Sequence, residues 1–258
     1  MAGTLPQLER DVVRARQEAI YQDPAEWWES TPVAGSSRLR CVLRYLTLLE
    51  RYGVPRRTSG LQGGVRLLEP GCGVGSLSSL LAMFGDVTSF DLSVEAIHRA
   101  QAMFGHLPSV TFFQGDGTQP EQIPQLTDTL FDVVLLKEFV PLARNIADSR
   151  RPFDLVRSYY DRLRPGGILI IEHALPPGVW GSDEAILQTS QIIRTFRGQI
   201  FHTPALDVAH FLVPGLKGRF GWVVPMCART LAPLAVLYCL LRRINISKTL
   251  VIRKPDVS

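Results

Sequence analysis

Hydrophobic positions change their period along the chain, and the change falls near residue 64. Before it, Leu5 to about Tyr21 and Ser37–Tyr52 show the apolar spacing of helices, and Gly53 marks the end of the second helix. After it, short apolar runs alternate with helical patterns. This alternation predicts an α/β fold in which helices cover both faces of a mostly parallel sheet.

Five apolar runs are predicted to be strands of this sheet. They are Val65–Glu69, Val87–Asp91, Val110–Gln114, Phe131–Leu136 and Ile168–Glu172. The predicted helices between them are Ser76–Phe84, ended by Gly85, a helix capped by Ser93 that runs to Phe104 and closes at Gly105, and a helix around Phe153–Leu163 that stops at Arg-Pro-Gly-Gly. The pattern also predicts a helix over Asp183–Arg197 and a final strand over Lys248–Arg253, and it leaves the sixth strand unplaced.

A length of 258 residues, with 46% hydrophobic and 20% charged, is enough for one buried domain with an attached cap. The net charge is +4, but Lys and Arg are scattered, so we expect a solvated basic surface and no nucleic-acid partner.

The four cysteines form no CxxC pair and no zinc spacing, so no metal site is predicted. The first residues lack the apolar stretch of a secretory signal, and we expect a cytoplasmic protein.

A glycine-rich turn with Gly71, Gly73 and Gly75 joins the first of these strands to the helix that follows. Glycine permits a sharp turn and lets a ligand touch bare backbone, and the helix start offers N–H groups. A dinucleotide site would have Gly or Ala where this chain has Ser76. Glu69 ends the strand, and its carboxylate would oppose a pyrophosphate but suits a ligand that carries a positive charge.

Two more acids follow strands of the predicted sheet. Asp91 ends the second strand roughly 20 residues further on, where this architecture places an acid that accepts from ribose hydroxyls. A helix N-cap is the other interpretation of Asp91. Asp116 lies between glycines after the third strand, on the edge where open α/β sheets bind ligands, although a simple Asp-Gly turn would give the same pattern.

The ordered segments LLEPGCGVGSL, SFDLSVEAI, FFQGDG, FDVVLLKEF and LRPGGILIIEH resemble the motifs of class I methyltransferases that use S-adenosylmethionine (SAM). The resemblance covers about residues 64–173, and KTLVIRKP resembles the family's last strand. It implies a Rossmann-like, seven-stranded sheet with an antiparallel last strand. The implied organisation is an N-terminal helical cap (1–63), the SAM-binding core (64–173), a substrate cap (174–246) and the final strand (247–254).

The resemblance also implies residue roles. The cofactor-binding residues so implied are Glu69, Gly71, Gly73, Gly75, Asp91, Leu92, Asp116, Gly117 and Lys137. The first-strand acid and the glycines would surround the methionine part of SAM. The second-strand acid would hold the ribose, and the Asp-Gly pair after the third strand would meet the adenine. The residues after the fourth strand, Lys137 and Glu138, would border the methyl group and the substrate.

Methyl transfer is an in-line displacement, so the enzyme aligns the two reactants and removes a proton where the nucleophile carries one. His173, which ends the fifth strand beside Glu172, is a candidate base, and a capping histidine without a catalytic task is the alternative. Glu138 is the second candidate, and His202 and His210 could reach the site from the C-terminal region.

The chain lacks the [DNS]PP[YFW] motif of nucleobase amino methylation and the Pro-Cys of cytosine methylation. We therefore expect a small organic acceptor, methylated on oxygen, nitrogen or carbon, in specialised metabolism. Aromatic residues of the caps could wall an apolar or aromatic acceptor or pack the caps on the core. They are Tyr21, Trp27, Trp28, Trp180, Phe196, Phe201, Phe211, Phe220 and Trp222.

The apolar stretch Trp222–Leu241 is predicted to be a buried or substrate-lining helix, because it contains Arg229 and two prolines and precedes a strand. A peripheral membrane contact and a lipid-like acceptor are the alternative. Two further readings stay open: an NAD-dependent oxidoreductase, and a catalytically silent module that binds SAM. We expect a monomer or a homodimer.

Overall fold

The computed structural model describes residues 44–57, 64–137, 139, 142, 151–173, 191–201 and 248–256. Their strands are β1 (Val65–Pro70), β2 (Gly85–Asp91), β3 (Val110–Gln114), β4 (Phe131–Lys137), β5 (Leu163–His173), β6 (Gln199–Phe201) and β7 (Lys248–Arg253). They form one sheet in the order β3-β2-β1-β4-β5-β7-β6. β1 to β5 pair in parallel, and β7 runs antiparallel to both of its neighbours. The predicted Rossmann-like α/β fold is confirmed.

Helices cover both faces of the sheet. They are α1 (44–51), α2 (Ser76–Leu81), α3 (Val94–Phe104), α4 (Arg151–Asp161) and α5 (191–196), with 3₁₀ turns at Pro120–Gln122 and Pro124–Leu126. Strand side chains alternate between the faces, so that Ile168 and Ile170 pack with α1, α2 and α3, whereas Leu169 and Ile171 pack with α4 and the 3₁₀ turns. Two hydrophobic cores therefore hold the sheet between helical layers.

The helix α1 confirms the helix that the sequence pattern predicted before the sheet. Its buried side chains are Tyr45, Leu48 and Leu49, which share one face at helical spacing. Leu46, on the same helix, is only partly buried. Gly53 ends the helix as predicted, with a φ of 76° that favours glycine. The earlier residues of this predicted helix lie outside the described part.

Three predicted boundaries were wrong. The helix α2 ends at Leu81, and Gly85 begins β2 rather than ending a helix. A Cβ at this glycine would lie 1.8 Å from the carbonyl oxygen of Val65, so glycine is needed for the close approach of two strands. The strand β5 begins at Leu163 and includes the Arg-Pro-Gly-Gly segment that was predicted to follow a helix, which itself spans Arg151–Asp161.

Other predictions held. The Ser93 hydroxyl accepts from the amide of Ala96 at 3.1 Å and caps α3, which closes at Gly105. The final strand has the predicted bounds, Lys248–Arg253. The sixth strand is the three-residue β6, which pairs only with β7 among the described residues.

The strand order reverses between β1 and β4, which are neighbours although they are not consecutive in the chain. In open α/β sheets this switch point leaves a crevice at the carboxyl ends of the strands, where ligands bind. The carboxyl ends of β1, β2, β3, β4 and β5 therefore define where a site should be sought.

Candidate functional site

The glycine turn after β1 is held in left-handed backbone conformations. Gly71, Gly73 and Gly75 have φ values of 71°, 54° and 78°. The amide of Gly71 donates to the carbonyl of Phe90 at 2.8 Å, and the amide of Cys72 donates to the same carbonyl at 3.1 Å. The turn is thus fastened to the end of β2, and its backbone conformation requires glycine.

Replacing Gly75 with alanine is expected to destabilise the fold by about 1–3 kcal/mol more than the same change at Gly53. Both glycines have nearly the same φ, 78° and 76°. A Cβ at Gly75 would lie 2.8 Å from the ring of Phe112 and 3.1 Å from the Cβ of Ala100, whereas a Cβ at Gly53 would meet nothing within 4 Å. The difference between the variants therefore isolates packing from backbone strain. Urea unfolding measures it, and equal losses would contradict the packing argument.

Glu69 lies at the end of β1 with only 3% of its surface exposed. The Ser78 hydroxyl, from α2, donates to its Oε2 at 2.6 Å. Burial raises the pKa of Glu69 from 4.5 to about 7, against the opposing effects of the Ser78 hydrogen bond and the Lys137 ammonium. This carboxyl group therefore changes its charge near neutral pH, and a positive charge brought beside it would favour its ionised form.

Asp91 joins the glycine turn to the beginning of α3. Its Oδ2 accepts from the amide of Gly73 at 2.9 Å, and its Oδ1 accepts from the amide of Ser93 at 2.9 Å. The helix N-cap is Ser93 and not Asp91. Asp91 therefore fixes the glycine turn and the start of α3 relative to each other.

The turn after β3 holds the third predicted acid. The Oδ1 of Asp116 accepts from the amide of Thr118 at 2.9 Å and from its hydroxyl at 2.7 Å. The amide of Gly115 donates to the carbonyl of Asp91 at 2.9 Å, which ties this turn to the end of β2. Gly117 is buried. The structure therefore brings the acids and glycines that follow β1, β2 and β3 together along one edge.

The structure describes the other residues predicted for the site in less detail. Leu92 directly follows β2, and its carbonyl accepts from the side-chain Nε2 of Gln114 at 3.2 Å. Lys137 ends β4 and is opposite Glu172 in the pairing with β5. His173 ends β5 opposite Lys248, and only its backbone is described. Glu138, His202 and His210 lie outside the described residues.

Residues that the sequence analysis missed surround this edge. The carboxylate of Glu172 accepts from the guanidinium of Arg44 and from the hydroxyl of Tyr45, and it is buried with them. These contacts fasten the described part of α1 to the carboxyl end of β5. Phe139 packs against the turns after β1 and β3, and Tyr159 contacts the turn after β3. The only available signal was that Tyr45 falls in helical phase with the buried leucines of α1.

The aromatic residues predicted in the caps are mostly outside the described part. Phe196 is described, and it is buried in the core, with its ring 5.1 Å from that of Tyr160 and 5.3 Å from that of Phe153. It therefore packs α5 on α4. Among the described residues, no helix has the length and apolarity to cross a membrane, and no group of His, Cys, Asp and Glu could hold a metal ion. The segment Trp222–Leu241 lies outside the described residues.

Comparison with known proteins gives independent findings. A family model described as a methyltransferase domain matches residues 68–171. No curated protein matches the sequence. Magnesium protoporphyrin IX methyltransferase from Synechocystis PCC 6803, solved with bound SAM, is similar in structure at 14% identity and a TM-score of 0.58, over 98% of this chain and 100% of that chain.

Two enzymes of Haemonchus contortus share the fold over a smaller part of their length. Phosphoethanolamine N-methyltransferase 2, in complex with SAM, has 18% identity and a TM-score of 0.52 over 83% of this chain and 53% of that chain. Phosphoethanolamine N-methyltransferase 1, in complex with phosphoethanolamine and S-adenosylhomocysteine, has 16% identity and a TM-score of 0.50 over 66% and 33%. The chain thus spans about half and about a third of these two relatives. Residues 68–171 thus match a methyltransferase domain model, and the described sheet and helices share the Rossmann-like fold of these enzymes.

Proposed function

We propose that this chain binds SAM at the carboxyl ends of β1, β2 and β3 and transfers its methyl group to a small organic acceptor. The observation that carries the proposal is the Asp91 junction. The carboxylate of Asp91 accepts from Gly73 and its carbonyl accepts from Gly115, so one residue holds the turns after β1 and β3 at the end of β2.

The residues at this edge fit SAM chemically. The buried Glu69 suits the positive charge of a sulfonium and an amino group, because a cation offsets the cost of burying the carboxylate. Gly71 and Gly73 would let the methionine part lie close to the backbone. Asp91 and Leu92 would hold the ribose, and Asp116 with Gly117 would hold the adenine. SAM supplies a methyl group on a good leaving group, so the chain's own task is to align the acceptor.

An NAD-dependent oxidoreductase fits this edge less well. The glycine turn is followed by Ser76 where a dinucleotide site needs Gly or Ala, and the buried Glu69 would lie beside the pyrophosphate. Burying two anions without a cation between them is costly. The charge at this edge therefore favours SAM over NAD.

The acceptor would approach the same edge. Described residues of the N-terminal cap (1–63) and residues that border the C-terminal region (174–246) lie there: Arg44 and Tyr45 of α1 contact Glu172, β5 ends at His173, and β7 begins opposite it. We therefore assign acceptor recognition to these two regions. The relatives in the comparison act on a porphyrin and on phosphoethanolamine, and a small organic acceptor is the class that we propose here.

We assign the role of general base to His173 and the second place to Glu138. The position of His173 at the carboxyl end of β5 supports this assignment, and an imidazole titrates in the range that base catalysis at neutral pH requires. His173→Ala is expected to lower the single-turnover rate by about 100-fold or more and to leave SAM affinity within about twofold. Rapid-quench kinetics measure the rate, and a rate equal to that of the wild type removes the role.

Acceptor-dependent formation of S-adenosylhomocysteine tests the proposed activity. The purified protein is incubated with SAM and small molecules that carry amino, hydroxyl or carboxyl groups, and the product is measured by mass spectrometry. Turnover with at least one class, which Asp91→Ala abolishes, is the expected result. SAM binding without turnover on any acceptor would identify the chain as a silent SAM-binding module.

A further inference from the structure

A buried hydroxyl group of the helix α4 forms a hydrogen bond with the turn after β3. Tyr159 has no exposed surface, and its hydroxyl donates to the carbonyl of Gly117 at 2.8 Å. Burial raises the pKa of Tyr159 well above 10, so the hydroxyl keeps its proton and remains a donor. The bond joins α4 directly to the residue after Asp116.

Arg162, which directly follows α4, extends this attachment along the chain. Its guanidinium donates to the carbonyl of Pro120 at 2.7 Å and to the carbonyl of Leu126 at 2.5 Å. The segment from Gly117 to Leu126 is therefore held at three carbonyls by side-chain donors from one end of α4. These bonds add to the backbone hydrogen bonds that the segment forms within its two short 3₁₀ turns.

Phe139 links the same turn to the glycine turn after β1. Its ring packs edge-on against Tyr159, with centroids 5.8 Å apart and planes at 87°. A Cβ at Gly117 would lie 2.6 Å from this ring, and a Cβ at Gly71 would lie 3.1 Å from it. Tyr159 thus holds the turn after β3 by a hydrogen bond, while the ring of Phe139 packs against both this turn and the glycine turn after β1.

We propose that Tyr159 is a positioning residue that fixes the Asp116–Gly117 turn and thereby sets the selectivity of the site for an adenine base. The inference rests on the proposed function. Asp116 uses Oδ1 for Thr118, and its Oδ2 has no hydrogen-bond partner among the described residues. A carboxylate oxygen held at a fixed place accepts from the 6-amino group of adenine and opposes the 6-carbonyl of hypoxanthine.

The test is the ratio of two dissociation constants, for S-adenosylhomocysteine and for S-inosylhomocysteine, whose bases differ in the 6-substituent and in the proton that hypoxanthine carries on N1. The wild type is expected to prefer the adenine ligand by about 10-fold or more. In Tyr159→Phe the ring stays and the hydroxyl is lost, and we expect the preference to fall by about 3–10-fold, as for one buried hydrogen bond. Because both constants scale with the folded fraction, a general loss of stability leaves their ratio unchanged.

Tyr160→Phe is the matched control. Tyr160 is the next residue of α4, and its ring packs on Phe196 and lies 5.5 Å from the ammonium of Lys254, away from the turn. This variant should keep the wild-type ratio. If Tyr159→Phe does not fold, Gly117→Ala displaces the same turn through the contact with Phe139 and should lower the ratio in its place.

The results of this test distinguish the inference about Tyr159 from the proposed binding of SAM. A Tyr159→Phe protein with the wild-type ratio overturns the inference, and so does a wild type that binds both ligands equally. A wild type that binds neither ligand contradicts the proposed function instead.

Discussion

Asp91→Ala is expected to weaken SAM binding by about 100-fold or more, the largest effect that we expect from a single substitution. The carboxylate accepts from two backbone amides, Gly73 and Ser93, and is 6% exposed. Hydrogen bonds to a charged group contribute about 1.5–3 kcal/mol each, and both would be lost together with a proposed contact to the ribose. Isothermal titration calorimetry with SAM measures the change.

Asp86→Ala provides the matched control for this experiment. Asp86 belongs to the same strand, but it lies near the beginning of β2 and forms an exposed ion pair with Arg57 at 3.0 Å. Exposed pairs contribute little to stability, so we expect SAM affinity within about twofold of the wild type. If a folded Asp91→Ala protein binds SAM as tightly as Asp86→Ala does, Asp91 has no part in the site.

The second large effect is a pH dependence of stability that originates at Glu69. Its pKa is about 7 in the folded protein and 4.5 at its ordinary value, because burial favours the neutral form. Between these values the folded state holds a proton that the unfolded state has lost, so the free energy of unfolding falls as the pH rises from about 4.5 to about 7. The loss attributable to Glu69 is about 3 kcal/mol.

Glu69→Gln removes the titrating group while keeping its size. We expect the variant to match the wild type near pH 5 and to be more stable above pH 7 by up to about 3 kcal/mol. Urea unfolding at a series of pH values gives the difference between the two proteins. Parallel curves for wild type and variant would show that Glu69 does not titrate in this range.

The affinity for SAM should also depend on Glu69, but it should change with pH in the direction opposite to that of the stability. A cation beside Glu69 favours the ionised form, so binding releases a proton below pH 7, and the affinity of the wild type should rise with pH through that region. Glu69→Gln should bind SAM more weakly above pH 7 despite its greater stability. A variant with higher stability and lower affinity would show that the cost of burying Glu69 serves ligand binding.

The sequence predicted the part of the fold that has strong local signals. Buried parallel strands are continuous apolar runs, so β1, β3 and β4 were found nearly to the residue, and β7 was found with its observed bounds. The Ser93 cap was found because a capping hydroxyl acts on the amide three residues later in the same chain.

The errors came from glycines and from short elements. Gly85 follows a helix in sequence, so it resembled a helix stop, but its role is the approach of β2 to β1, which is a tertiary contact. The strand β6 has three residues, too few to show a period of two, and its partner comes about 50 residues later, at Thr249–Val251. Neither fact could be predicted from local pattern.

The sequence singled out the acids and glycines of the candidate site, but it did not indicate the residues that hold them in place. Glu69 and Asp91 lie at the carboxyl ends of β1 and β2, Asp116 lies shortly after β3, and the topology brings these strand ends together. Tyr159 of α4 and Arg162 directly after it lie more than 40 residues after Gly117 and Pro120, whose carbonyls they bind. Arg44 and Tyr45 are more than 120 residues from Glu172. Such partners become visible only when the chain is folded.

Titration of SAM into the wild-type protein by calorimetry, with NAD as the comparison ligand, tests the central claim most directly. The account predicts one site of micromolar affinity for SAM, release of a proton on binding below pH 7, and no heat with NAD. Saturable binding of NAD, with none of SAM or S-adenosylhomocysteine at millimolar concentration, would contradict it.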